Sequence, residues 1–260
     1  MTAQDLTGRV ALVTGGTGGV GLVIARKLAQ RGATIVLNGR SEAGGQRALE
    51  ALRDVSDKVY YEGGDAGDYA AITRVTQAAA GLNGGIDILI SAGAQGAVGP
   101  KPFAELTSKE LELSVTTRLF PRVFPVHASL PFMRERGGSV VMLTTDAARH
   151  PTPGESVVGA VGASVILMTK ALAKELARDR IRVNSVAMTL TSDTPSWDRI
   201  FADPSFQNRL FSKALTRFPQ GRPPSADEVA RVAAFLAGDD AAQVTGQTIS
   251  VNGGLSFGGW

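Results

Sequence analysis

Thr14-Gly15-Gly16-Thr17-Gly18-Gly19-Val20-Gly21 is the stretch that decides the fold. It follows a short apolar run, Val10–Thr14, and opens an amphipathic stretch at 20–31. Glycines between a strand and a helix let backbone N–H groups approach a pyrophosphate. The helix N-terminus adds about half a unit of positive charge. A second apolar run, Thr34–Asn38, follows at the spacing of a dinucleotide-binding strand–helix–strand unit, about 20 residues on.

The same rhythm continues outward from this loop. Further candidate strands are Val59–Tyr61, Ile86–Ile90, Ser139–Leu143, Arg182–Val186 and Thr248–Val251. They are short, continuous and rich in Val and Ile, as strands buried on both faces are. Amphipathic stretches lie between them at 42–55, 68–80, 107–118, 122–136, 155–178 and 226–237. This alternation predicts an α/β chain: a Rossmann-like, doubly wound parallel sheet of about seven strands. Helices are expected on both of its faces. No linker or repeat interrupts the chain, so residues 1–260 are expected to form one dinucleotide-binding domain. Segment 191–220 breaks the rhythm. It holds Trp197, Phe201, Phe206, Phe211 and Phe218, and reads either as a helical lid over the pocket or as an aromatic cap on the sheet.

Composition excludes several functions. Cysteine is absent, which removes disulfides, thiolate metal sites and cysteine nucleophiles. His127 and His150 are the only imidazoles, too few for a histidine-rich zinc site, and no metal is expected. The net charge is +3 and the basic residues are scattered, so no nucleic-acid footprint is expected. The most apolar uncharged run, Ser156 to Thr169, is shorter than the ~18 residues of a membrane span. With no basic, apolar leader at the start, the expectation is a cytoplasmic protein acting on a small, apolar molecule.

The second strand ends Leu37-Asn38-Gly39-Arg40-Ser41. NAD sites place an acid here for the ribose 2′-hydroxyl. Arg40 and Ser41 offer a cation and a hydroxyl instead, which suit a 2′-phosphate and favour NADP(H) over NAD(H).

With these residues in view, almost the whole chain resembles the short-chain dehydrogenase/reductase family. Thr14, Gly15, Gly19 and Gly21 fit its TGxxxGxG pattern, with Thr17 and Val20 inside the loop. Asp65, followed by Ala66, matches the acid that meets adenine in the family. Ser91-Ala92-Gly93 matches the end of its NNAG motif. Ile181–Val186 and Gly246–Gly254 match its sixth strand and C-terminal signature. The resemblance implies a dinucleotide held by Gly15, Thr17, Gly19, Val20, Gly21, Arg40, Ser41, Asp65, Ala66, Ser91, Ala92 and Gly93.

The resemblance also implies a catalytic tetrad. A Tyr donates the proton, and a Lys four residues later lowers its pKa and holds the ribose. A Ser orients the carbonyl and an Asn supports a water. Aligned on Lys170–Leu176, these positions carry Val158, Gly162, Thr145 and Arg118. Independently of alignment, the only tyrosines are Tyr60, Tyr61 and Tyr69, and no YxxxK occurs. Met188 and Thr189 stand where the loop after the sixth strand usually carries proline and glycine. Thr145 keeps a hydroxyl. Arg118 is expected either to enter the volume vacated at Gly162 and stabilise charge there, or to be a solvated helix residue. Asp146, Arg149, His150 and Glu155 are expected to border the pocket, and Asp193 is a further acid in the lid segment.

Three functions remain open. One is an NADP(H)-dependent oxidoreductase with an atypical active site. Another is a non-redox enzyme, of cyclase, aldolase or dehydratase type, on the same scaffold. The third is an inactive nucleotide-binding subunit or the partner of an active relative. The family usually pairs through helices 107–136 and 155–178. Gly159, Ala160, Gly162, Ala163 and Ser164 permit close helix approach there, so a homotetramer, or a hetero-oligomer with an active relative, is expected.

Overall fold

The computed structural model describes residues 5–94 and 96–257, so Gln95 and both ends of the expected 1–260 span lie outside it. Its strands are β1 (Val10–Thr14), β2 (Thr34–Gly39), β3 (Val59–Gly63), β4 (Ile88–Ser91), β5 (Gly138–Thr145), β6 (Ile181–Met188) and β7 (Thr248–Val251). All pair in parallel, in the order β3-β2-β1-β4-β5-β6-β7. This is the expected doubly wound sheet. Alternate residues of each strand face opposite layers. Ala11, Val13, Ile35 and Leu37 join the core under helices α1 (Gly19–Gln30), α2 (Glu42–Leu52) and α8 (Ala226–Ala237). Val10, Leu12, Val36 and Leu89 join the opposite core under α3 (Tyr69–Gly81), α4 (Ser108–Met133) and α5 (Ser156–Glu175). Each fully buried aliphatic side chain contributes about 1.5–3 kcal/mol.

The helix boundary expected between 118 and 122 is absent. A single helix, α4, runs through Pro121, Pro125 and Pro131. An interior proline removes a backbone hydrogen bond and costs about 3 kcal/mol. Here Pro121, Pro125, Val126 and Met133 are all buried, and that packing holds the helix together. A capping box at its start, Thr107 with Glu110, fixes its first turn. Helix α5 is 20 residues long and apolar enough, by length and composition, to cross a membrane. In this fold it is a layer helix, with Val165 and Ile166 buried beside β5 and β6.

Segment 191–220 contains two short helices, α6 (Pro195–Ala202) and α7 (Phe206–Leu215), capped by Thr194 and Ser205. Trp197 and Phe201 pack with ring centroids 4.5 Å apart. Phe218 is buried at the foot of the segment, against Gly253.

The C-terminal signature ties the far edge of the sheet. Asn184 is fully buried on β6. Its amide donates to the Val244 carbonyl at 2.8 Å and accepts from the Gln247 N–H at 3.0 Å. Asn184→Ala orphans both groups, at about 1–3 kcal/mol each. The expected result in urea titration is a lower unfolding midpoint with an unchanged slope. An unchanged midpoint would show that β7 does not depend on this residue.

Candidate functional site

The strand order reverses between β1 and β4, and parallel pairing brings Thr14 beside Ser91 at their carboxyl ends. Such a switch point opens a crevice. Here it is a groove of about 710 Å³. Its floor is the glycine loop. Gly15 has φ of +66°, and a Cβ on Gly21 would lie 2.3 Å from the Gly15 carbonyl oxygen, so only glycine fits there. The helices around the groove differ in one respect. α2 and α3 are capped by the side chains of Ser41 and Asp68. The N-cap of α1 is Gly18, with no side-chain cap. Its first-turn amides are therefore left for an anion. A cradle closed to any Cβ, under an uncapped helix start, fits a dinucleotide pyrophosphate.

All the residues expected to hold a dinucleotide line this groove except Ser91. Ser91 is fully buried, and its hydroxyl donates to the Arg122 carbonyl at 2.8 Å. It pins α4 to the sheet because β4 ends beneath that helix. Asp65 accepts from the Gly67 N–H at 2.8 Å and shapes the turn after β3. Thr17 lies over Gly39, where a Cβ would sit 2.5 Å from its hydroxyl oxygen. Exposed Arg40 and Ser41 stand at the end of β2. Arg47, one turn into α2, joins them at the groove wall. Sequence reasoning missed Arg47. Its signal was a cation on the first turns of the helix that Ser41 caps.

A second cavity, of about 410 Å³, adjoins the groove. Arg122, Met188, Thr194 and Ser196 line both. Its outer wall is the α6–α7 segment, including Trp197, Ile200, Leu210 and Phe211. Its inner end carries Thr145, Glu155 and Arg122. Register sets Thr145 opposite Met188 at the ends of β5 and β6. Thr145 Oγ1 accepts from the Ala147 N–H at 3.2 Å, which leaves its proton to be donated.

Arg118 is neither solvated nor inserted over Gly162. It is buried, donating to the carbonyls of Val98 and Ser114, so it anchors the loop before α4. Burial lowers its pKa. The arginine that reaches both cavities is Arg122, one turn further along α4. Its Nε donates to the Leu143 carbonyl at 2.7 Å and its Nη1 to the Arg118 carbonyl at 2.5 Å. Burial and the neighbouring Arg118 charge lower its pKa to about 10. Sequence reasoning missed Arg122; its signal was the helical spacing from Arg118.

The volume above Gly162 is closed. A Cβ there would lie 2.6 Å from Thr145 Cγ2 and 2.9 Å from Ala148 Cβ. A Cβ on Gly159 would lie 2.6 Å from the Ala147 carbonyl oxygen. These glycines therefore allow close approach of α5 to the turn Asp146–Ala148 within the chain.

The other expected pocket acids and cations divide. Asp146 lines the cavity but is buried, and Asn252 and Ser256 donate to its carboxylate. Arg149 turns away and clamps β7, donating to Ser250 Oγ and the Thr248 carbonyl. His150 lines the cavity. Asp193 is exposed, outside both cavities, with φ of +60°. Glu155 stands at the N-cap of α5 yet does not cap it. Among the described residues no group of three or more His, Cys, Asp or Glu side chains is placed to hold a metal.

A Gly-rich groove at a sheet switch point, opening into a mixed polar and apolar pocket, defines a dinucleotide-binding α/β protein. The family model described as enoyl-(acyl carrier protein) reductase matches residues 15–256. Dehydrogenase/reductase SDR family member 4 of Oryctolagus cuniculus is 33% identical, over 98% of this chain and 96% of that protein. A 2,3-dihydroxy-2,3-dihydro-p-cumate dehydrogenase of Pseudomonas putida is 32% identical, over 98% and 97%. The apo structure of a short-chain oxidoreductase from Pseudomonas aeruginosa PAO1, described as containing an atypical catalytic centre, is 28% identical. It superposes with a TM-score of 0.88, covering 97% of this chain and 98% of that one. The chain belongs to the short-chain dehydrogenase/reductase family, whose members use a nicotinamide dinucleotide.

The closed space at Gly162 can be tested by substitution. Alanine in a helix is ordinarily favoured over glycine by about 1 kcal/mol. Gly162→Ala is expected to reverse that sign and destabilise by about 1–3 kcal/mol through overpacking. Thr145→Ser removes Cγ2, the nearest obstacle, so the double variant is expected to recover part of the loss. Thermal unfolding of the four proteins measures it; additive effects would show that the two side chains do not meet.

Proposed function

We propose that this protein is an NADP(H)-dependent oxidoreductase of an atypical kind, acting on a small apolar ketone or secondary alcohol. The observation that carries the reading is the junction of the two cavities at Arg122, Met188, Thr194 and Ser196. A dinucleotide held in the groove would lie beside a cavity of mixed polar and apolar lining. When bound, it supplies hydride to a carbonyl carbon or removes it from an alcohol carbon. The chain's own residues do the rest. The α1 amides and Gly15–Gly21 hold the pyrophosphate. Arg40, Ser41 and Arg47 hold a 2′-phosphate. Trp197, Ile200, Leu210 and Phe211 exclude water from an apolar substrate. Thr145 donates a hydrogen bond to the substrate oxygen, and Arg122 stabilises negative charge that develops on it.

In this reading the family's Asn, Ser, Tyr and Lys positions are Arg118, Thr145, Val158 and Gly162. The reading of the chain as an inactive nucleotide-binding subunit draws on a separate observation: the volume for a lysine at 162 is filled by Thr145 and Ala148. Titration with NADPH separates the two, since a binding subunit binds and never turns over.

The 2′-phosphate assignment has its own test. Arg40→Ala is expected to weaken NADPH binding by about 1.5–3 kcal/mol, the scale of a hydrogen bond to a charged group. NADH affinity is expected to change little. Equal losses for the two nucleotides by calorimetry would refute the assignment.

Assembly as a homotetramer, or as a hetero-oligomer with an active relative, belongs to the same proposal. Helix α4 presents Leu113, Val115 and Phe120 to solvent, and α5 presents Leu167 at 64% exposure. Light scattering at micromolar concentration is expected to give four times the 27.0 kDa chain mass. A monomer would overturn it.

A further inference from the structure

The pocket contains one acid that neither the fold nor the dinucleotide groove uses. Glu155 is half-buried at the start of α5, one helical turn before Val158, and it lines the cavity together with Thr145 and Arg122. Its backbone N–H bonds to the Thr152 carbonyl, and its own carbonyl receives the Gly159 N–H. Its carboxyl makes no hydrogen bond or ion pair among the described residues. The fully enclosed polar atoms without a partner there are Ser129 Oγ and Arg149 Nε. Glu155 is not among them, and it lines the cavity. An acid held in such a place has a partner missing, and a substrate oxygen is the chemistry that supplies one.

Building on the oxidoreductase reading, we propose that Glu155 is the proton donor and acceptor of this pocket, with Arg122, in the lining of the same cavity, as the charge that steadies the substrate oxygen. In the reductive direction the substrate carbon takes hydride and its oxygen is left with an additional electron pair. The Glu155 O–H bond breaks and the substrate O–H bond forms. The carboxylate left behind is reprotonated from water at the cavity mouth. In the oxidative direction the same carboxylate takes the alcohol proton. No tyrosine is needed, which suits a chain whose only tyrosines lie at 60, 61 and 69.

The electrostatics fit the role. Burial pushes the Glu155 carboxyl up to about 7, against a smaller downward pull from Arg118. A general acid works best when its pKa lies near the working pH. The charged groups around it come from three elements. Arg118 and Arg122 lie on α4, and Arg118 spends its donors on the Val98 and Ser114 carbonyls. Asp146 and His150 follow β5, and Asp146 is engaged by Asn252 and Ser256. Lys213 and Arg217 stand exposed on and just after α7, at the outer wall. Lys101, near Gly154, is paired with Glu110.

Three readouts on the full-length protein and its Glu155→Gln and Glu155→Asp variants test the proposal. First, isotope-edited infrared spectroscopy of the protein without nucleotide is expected to show a protonated carboxyl that titrates near 7 and is missing in Glu155→Gln. Second, stability carries the same signature. Between about 4.5 and 7 the folded state keeps a proton that the unfolded state has lost. Wild type is therefore expected to lose stability as pH rises through that window, so the melting temperature of Glu155→Gln gains on it from pH 5 to pH 8. Third, NADPH oxidation with 1-phenyl-1,2-propanedione as probe is expected to fall about 10²–10⁴-fold in Glu155→Gln. NADPH affinity is expected to hold, and Glu155→Asp to recover part of the rate. Wild-type reductive kcat should decline as pH rises through about 7. Wild-type turnover that survives Glu155→Gln with the same pH profile overturns the proposal and leaves the oxidoreductase reading standing. NADPH binding with no wild-type turnover overturns both. A carboxyl that titrates in the ordinary range near 4.5 overturns the proposal whatever the activity.

Discussion

The open N-terminus of α1 is the constraint on which the rest of the molecule is built. Gly18 gives that helix no side-chain cap, while the neighbouring helices α2 and α3 have one. Unpaired amides at a helix start are tolerated only where water or a ligand meets them. They must therefore face a crevice, and in a doubly wound sheet the crevice lies where strand order reverses. The absent side chains at Gly15 and Gly21 let the loop fold tightly enough to aim those amides. Ser91, ending β4 below the same crevice, fastens α4 through the Arg122 carbonyl. The groove and the helix that carries its arginines are thus fixed to one another by the strand between them.

Around the second cavity, charge is distributed by what each group already holds. Asp146 and Arg149 were expected from the sequence to border the pocket and are structural in the fold. One is enclosed by Asn252 and Ser256, the other spans to β7. Both join the end of β5 to the C-terminal signature, so that signature acts on the pocket from behind. Arg118 is likewise consumed by backbone carbonyls. Thr145, Arg122 and Glu155 remain in the cavity lining, together with His150, Lys213 and Arg217. Of the first three, Glu155 is the only one whose side chain makes no hydrogen bond in the described structure. Its burial raises its pKa toward neutrality while Arg122 is lowered to about 10. Environment therefore gives one cavity an acid that titrates near neutrality and a cation in its lining, a combination suited to proton transfer.

The glycines of α5 carry a related lesson. In a helix they are poor residues, and small residues on a helix invite the idea of a packed interface. Here Gly159 and Gly162 face the Asp146–Ala148 turn of the same chain. The helix gives up intrinsic stability so that its first turns can lie against the end of β5. That approach carries Glu155 to the pocket's inner end and closes the space above Gly162.

The parallel sheet and the phosphate loop could be read from residue order, because they rest on local rules. A strand buried on both faces must be continuously apolar, and a loop that approaches a phosphate must shed its side chains. Gly15, Gly19 and Gly21 satisfy the second rule, and Val10–Thr14 the first. The absence of any YxxxK was equally legible, since it needs only a list of tyrosines. Three features were decided by tertiary structure alone. The amphipathic pattern read as two stretches, 107–118 and 122–136, and burial of Pro121 and Pro125 made one helix. Arg118 and Arg122 are indistinguishable as sequence, and only the carbonyls of Val98 and Ser114 determine which of them is withdrawn from the pocket. Glu155 was one of several polar residues near a strand end, and its character comes from the burial of its carboxyl without a partner. Charge, unlike hydrophobic period, depends on what else arrives at the same place, and that is settled by chain segments distant in sequence.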